Sequence, residues 1–108
     1  MTKGVMAFDI NQHLAAINPS AKKILNLPSD TIGKKMQDVF KDFPAFTSRF
    51  EKLTSTVNEF EIENPTLSGW LSIRVSPILD NKKKWYGQLI LLEDITQKKQ
   101  IEKILRSN

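Results

Sequence analysis

Few residues in this chain could do chemistry: one histidine, a set of alternating glutamates, and an arginine and an aspartate in successive predicted strands. His13 is the single histidine. Alone it cannot form a metal site, and no Asp or Glu cluster stands at ligand spacing around it. One histidine also argues no Ser-His-Asp set, and no glycine-rich phosphate loop is present. Catalysis within the chain is not expected. Glu59, Glu61 and Glu63 alternate with Phe60 and Ile62, which puts the three carboxylates on one face of a strand. Paired carboxylates are one reading. A solvated face, its repulsion tempered by nearby lysines, is the preferred one. Arg74 stands opposite Leu71, Ile73 and Val75 in strand alternation. It could pair with Asp94 on the next strand and tie the end of the chain to the sheet. It could equally be a surface arginine in water, where an ion pair contributes little.

The chain contains no cysteine. That excludes disulfides, thiolate zinc sites, a cysteinyl nucleophile and thiol-linked cofactors, and it is compatible with the cytoplasm. Net charge is +4. The lysines are spread as Lys22-Lys23, Lys34-Lys35, Lys82-Lys83-Lys84 and Lys98-Lys99, and the one true run falls in a predicted turn. A nucleic-acid footprint should cluster on one face with interleaved aromatics, so solvated surface lysine is the preferred reading. The 108 residues suit one domain and are too few for two. No apolar run is long enough to span a bilayer, and no secretory signal opens the chain. Core-like residues directly after Met1-Thr2 are expected of a piece excised from a longer protein. The expected location is cytoplasmic, including the cytoplasmic part of a membrane-anchored sensor.

The elements that must position these residues follow from periodicity. GVMAFDI (4–10) and HLAAI (13–17) read as a hairpin turning at Asn11-Gln12. Met6-Ala7-Phe8 shows no polar alternation, so both faces of that strand are expected to be covered. Asn18-Pro19-Ser20 reads as a helix start, asparagine capping and proline at the first helical position. Met36, Val39 and Phe40 suit a further short helix. Phe46, Phe50, Leu53 and Val57 fall at i, i+4, i+7 and i+11, which predicts the longest internal helix, beginning near Pro44. Period two returns at Glu59–Glu63 and again at Trp70–Ser76. Pro77 argues for an edge or a bulge. Trp85–Asp94 is a last strand, apolar on both faces at Leu89–Leu92. The expected fold is α+β: a five-stranded antiparallel sheet with short helices and one longer helix on one face, then a C-terminal helix.

The segments GVMAFDI, INPSA (17–21), TIGK (31–34), WLSIRVSPIL (70–79) and WYGQLILLEDIT (85–96), in this order, resemble the PAS sensory domain over nearly the whole chain. The pattern Asp94-Ile95-Thr96, Lys99, Glu102, Leu105 is similar to the junction that joins such domains to an output module. Both hairpin turns depart from the family in lacking its frequent glycine, with Gln12 and Lys82–Lys84 standing instead.

The resemblance implies a regulatory module and not an enzyme. Residues 1–96 would be the sensory domain and 97–108 the start of a linker or coiled-coil helix. A histidine kinase, or a cyclase of signalling dinucleotides, would follow in the parent protein. Family members often bind ligands between helix and sheet. Phe50, Leu53, Ile73, Val75, Ile90 and Leu92 would then be wall residues, although a filled core suits the same pattern. Haem-binding members usually take a histidine from the long helix, and none occurs between Pro44 and Val57. Flavin adducts need a pocket cysteine. No cofactor is therefore expected, and an unknown small ligand stays open.

Thr96 is the expected N-cap of the last helix. Ile101, Ile104 and Leu105 form its apolar stripe, and a helix this short needs a partner to bury it. The partner expected is a second copy, in a parallel two-helix coiled coil, with Leu89 and Leu91 joining the contact. Arg74, Asp94, Ile95 and Thr96 are the expected signal relay. The alternatives are a ligand-free dimerisation or interaction module and, further off, a basic nucleic-acid binder.

Overall fold

Residues Gly4–Asp9 (β1) and Leu14–Ile17 (β2) form the first hairpin, with a register shift between Ala7 and Phe8. The computed structural model describes residues 3–50, 57–64 and 66–106, the side chains of 48–50 excepted. Asp9 opens the turn. Its Oδ1 accepts the N–H groups of Asn11 and His13, both at 2.9 Å, and Gln12 takes φ 65°. The turn Asp80–Lys84 repeats this arrangement. Asp80 Oδ1 accepts from the Lys82 and Lys84 N–H groups at 2.8 and 2.7 Å, and Lys83 has φ 62°. Aspartate thus supplies the bonds that hold a left-handed residue without glycine.

Asn18 caps helix α1 (Pro19–Leu25), its Oδ1 accepting from Ala21 N–H at 2.9 Å. The same oxygen accepts from Val5 N–H, and Asn18 Nδ2 donates to the Lys3 carbonyl, both at 2.9 Å. One side chain therefore caps a helix and fastens it to the first strand. Short helices α2 (Met36–Val39) and α3 (Pro44–Phe50) follow. Phe46 is fully buried and stacks on Phe40 with ring centroids 5.0 Å apart. The expected stripe is corrected at its far end. Val57 lies outside the helix, 50% exposed, because Asn58 already pairs with Val75. The Phe50 side chain and Leu53 lie outside the described residues.

Strands β3 (Asn58–Glu63), β4 (Trp70–Leu79) and β5 (Trp85–Asp94) complete an antiparallel sheet of order β2-β1-β5-β4-β3. The helical segment crosses from one sheet edge to the other and covers one face. Met6, Phe8, Leu71, Ile73, Ile90 and Leu92, each at most 1% exposed, meet it there. The opposite face of β1 is not sealed as expected. Val5 and Ala7 are half-buried and pair with the half-buried Leu91 and Leu89, since the helices lie across one side of the sheet. Pro77 satisfies both expectations for it. Pairing with β3 stops at Val75, and a register shift follows between Ile78 and Leu79.

Candidate functional site: the strand-to-helix junction

The last strand gives way to helix α4 (Thr96–Arg106) within two residues. Asp94 Oδ1 accepts the Thr96 N–H at 2.9 Å and the Thr96 hydroxyl at 2.6 Å. The Thr96 hydroxyl oxygen in turn accepts the Trp70 N–H at 3.0 Å. The Ile95 N–H donates to the Trp70 carbonyl at 3.0 Å, and the Ile95 carbonyl accepts the Lys99 N–H at 2.9 Å, the first bond of the helix. Both main-chain groups at the start of β4 therefore hold the end of β5. Ile95 is 5% exposed, so its side chain is buried at the turn.

These bonds revise the expected capping. The Thr96 hydroxyl bonds to β4 instead of to its own helix, and the cap comes from Asp94. A carboxylate there also complements the partial positive charge of the helix N-terminus. The proposed Arg74–Asp94 pairing is likewise corrected. Arg74 stands opposite Leu91, whereas Asp94 stands opposite Leu71. Strand alternation then puts Arg74 on the outer face and Asp94 on the face carrying Ile90 and Leu92. Arg74 instead lines a small outer-face hollow with Lys3, Glu59 and Glu93.

Sequence reading placed Trp70 with Arg74 on the face away from Leu71, Ile73 and Val75, but it gave neither Trp70 nor Gly69 a part in the junction. Gly69 has φ +124°, and a Cβ there would overlap the Thr96 hydroxyl. The signal available was a glycine directly before a strand, a common mark of close backbone approach. Trp70 is 37% exposed and lies under Lys99, whose Nζ is 5.4 Å from the ring centroid. Lys99 Nζ also contacts Glu61 Oε1 at 2.5 Å. One of the three alternating glutamates is thus paired and not simply solvated.

The remaining site residues fall in three places. Ile73, Val75, Ile90 and Leu92 face the helices, at most 2% exposed, within the core cluster. Leu89 and Leu91 are half-buried on the outer face. Ile101, Ile104 and Leu105 are 52%, 61% and 71% exposed, and α4 has no buried residue. The long axis of 50 Å and radius of gyration of 14.8 Å fit a projecting helix, since a compact chain of this length has about 13 Å. His13 lies at the far turn, bridging Lys35, with Nδ1 3.7 Å from Asp9. Among the described residues no group of His, Cys, Asp and Glu could hold a metal ion, and no helix is long and apolar enough to cross a membrane.

A five-stranded antiparallel sheet with helices on one face and a helix leaving the last strand defines the α+β fold class, and comparison supplies the family. The PAS domain family model matches residues 4–97, so the chain belongs to the PAS domain family. The PAS domain of BvgS from Bordetella pertussis superposes with TM-score 0.70 at 15% identity, over 97% of this chain and 85% of that one. The PAS domain of the histidine kinase ThkA gives TM-score 0.68 at 18% identity, over 86% and 100%. The Aer2 receptor of Vibrio cholerae, described as a dual PAS-heme oxygen sensor, gives 0.60 at 18%, over 89% and 96%. No curated protein matches the sequence.

Proposed function

We propose that this PAS domain is a sensory module of a larger signalling protein of the sensor histidine kinase type. A ligand or partner changes packing against the sheet. The change passes through Asp94-Ile95-Thr96 into α4, and α4 carries it to a C-terminal output domain. Residues 1–96 sense and residues 97–108 begin the linker. The observation that carries this reading is the exposed stripe Ile101, Ile104 and Leu105 on a helix hydrogen-bonded to two strands of the sheet. Similarity to the PAS domains of histidine kinases supports the output type. Only a difference in affinity between two states of the domain can drive the switch.

The stripe would be buried by a second copy in a parallel helix pair, with Val5, Leu89 and Leu91 of the outer face adding apolar area. Sedimentation of the chain tests this part: a monomer at all attainable concentrations would overturn it. The relay is tested in the full-length parent. Asp94→Ala and Thr96→Ala should uncouple signal from output while the fold persists, and unchanged signalling in both would end the relay reading.

A second reading, a ligand-free interaction module, is favoured by the tight burial of Ile73, Val75, Ile90 and Leu92. Native mass spectrometry and an absorbance scan distinguish the two, since a bound small molecule supports sensing. Histidine-ligated haem is disfavoured, because the single histidine stands at a turn away from the core, and a cysteinyl flavin adduct is impossible without cysteine. The cytoplasm is the proposed location, and nucleic-acid binding is not favoured.

A further inference from the structure

The junction hydrogen bonds converge on one place, the backbone around Thr96 and Trp70. Attachment at that place alone would leave the helix free to swing about it. Lys99 sits one turn further along α4 and supplies a second attachment. Glu61 lies on the outer face of β3 opposite Ser72, and Trp70 begins β4 on that same face. Lys99 reaches both, its Nζ against Glu61 Oε1 and above the indole ring. Beyond Lys99, residues Gln100, Lys103 and Arg106 border a cleft of about 530 Å3 between α4 and the loop before β4. The helix therefore has room to tilt.

We propose that Glu61, Trp70 and Lys99 form a latch that holds α4 at one exit direction from the sheet. Its significance rests on the reading of α4 as the output arm, whereas its existence does not. The strength of the contact suits a switch. The Lys99 and Glu61 side chains are 35% and 47% exposed, so water and salt screen them. Half-exposed ion pairs shift an equilibrium by up to about five-fold. A bias of that size is reversible by a modest competing interaction, while a fully buried pair would lock the helix. The cation–π contact adds a stacking surface that keeps the Lys99 chain over the sheet when the carboxylate lets go.

The absence of native cysteine makes the test direct. Spin labels are placed on Lys82→Cys, at the far turn, and Arg106→Cys, at the end of α4. Labelled chains are diluted in unlabelled protein so that only intrachain distances are read. The unsubstituted latch should give one dominant distance. Lys99→Ala and Glu61→Gln should each add a second population, changing the ratio by about five-fold, and roughly 1 M salt should do the same. Lys99→Arg, which keeps a cation against both Glu61 and the indole, should retain the single distance. Unchanged distributions in both Lys99→Ala and Glu61→Gln, or a second population as large in Lys99→Arg as in Lys99→Ala, would overturn the latch. Both side chains are at the surface, and circular dichroism verifies that each variant is folded. A latch-dependent distance in a chain that sediments as a monomer would keep the latch and remove the dimer reading.

Discussion

Gly69 and Thr96 approach so closely that no side chain fits between them: a Cβ on Gly69 would occupy the space of the Thr96 hydroxyl. The two residues belong to different segments, one before β4 and one after β5. Their contact brings the Trp70 N–H onto the hydroxyl and so joins the sheet to the departing helix. Gly69→Ala must either move Thr96 or change φ +124°, a region that L side chains rarely adopt. The expected loss is about 1–3 kcal/mol, read as a lower midpoint in thermal unfolding. A variant as stable as the parent would show that the approach is not required.

Asp94 is expected to act through acceptance and not through pairing with Arg74. Asp94→Ala removes the acceptor for the Thr96 N–H and hydroxyl, at a cost of about 1–2 kcal/mol. Asp94→Asn keeps an acceptor and should recover most of it. Hydrogen exchange of the first-turn amides of α4 distinguishes them: fast in the alanine variant, near the parent rate in the asparagine variant.

The strand-to-helix assignments that sequence supplied best are those carried by adjacent residues. Asn18-Pro19 marked a helix start because capping depends on a side chain three residues from its target. The same asparagine also holds Val5 and Lys3, which no local pattern could reveal. The glycine-free turns were legible as turns, but the shared role of Asp9 and Asp80 was visible only once each carboxylate was seen to accept two amides.

Those turns carry a third prediction. Lys83 holds φ 62°, where an L residue is disfavoured by about 1–2 kcal/mol and glycine is not. Glycine costs about 0.5–1 kcal/mol more unfolded-state entropy. Lys83→Gly should therefore stabilise by about 0.5 kcal/mol, and Asp80→Ala should destabilise by about 1 kcal/mol. Denaturant midpoints measure both, and a destabilising glycine would contradict the reading.

A fourth concerns association. Ile101→Glu together with Leu105→Glu places charge in the exposed stripe without touching the core. Domain stability should stay within about 0.5 kcal/mol, as for surface changes generally, while sedimentation shifts to monomer. Retained dimers would move the contact to the outer face, where Leu91→Glu is the matching substitution.

By itself the sequence determined the element types, the inward residues of β4, the junction at Asp94-Ile95-Thr96 and the apolar stripe beyond it. These depend on periods and caps within a few residues. Only the tertiary structure decided which residues of β4 stand across from Leu91 and Asp94, because the pairing between two strands is not written in the alternation within either one. Register decided it: Leu71 opposite Asp94 and Arg74 opposite Leu91 separate the two charges across the sheet. The same non-local pairing gathered Glu61, Gly69, Trp70 and Lys99 around one helix start, and no spacing along the chain encodes that meeting.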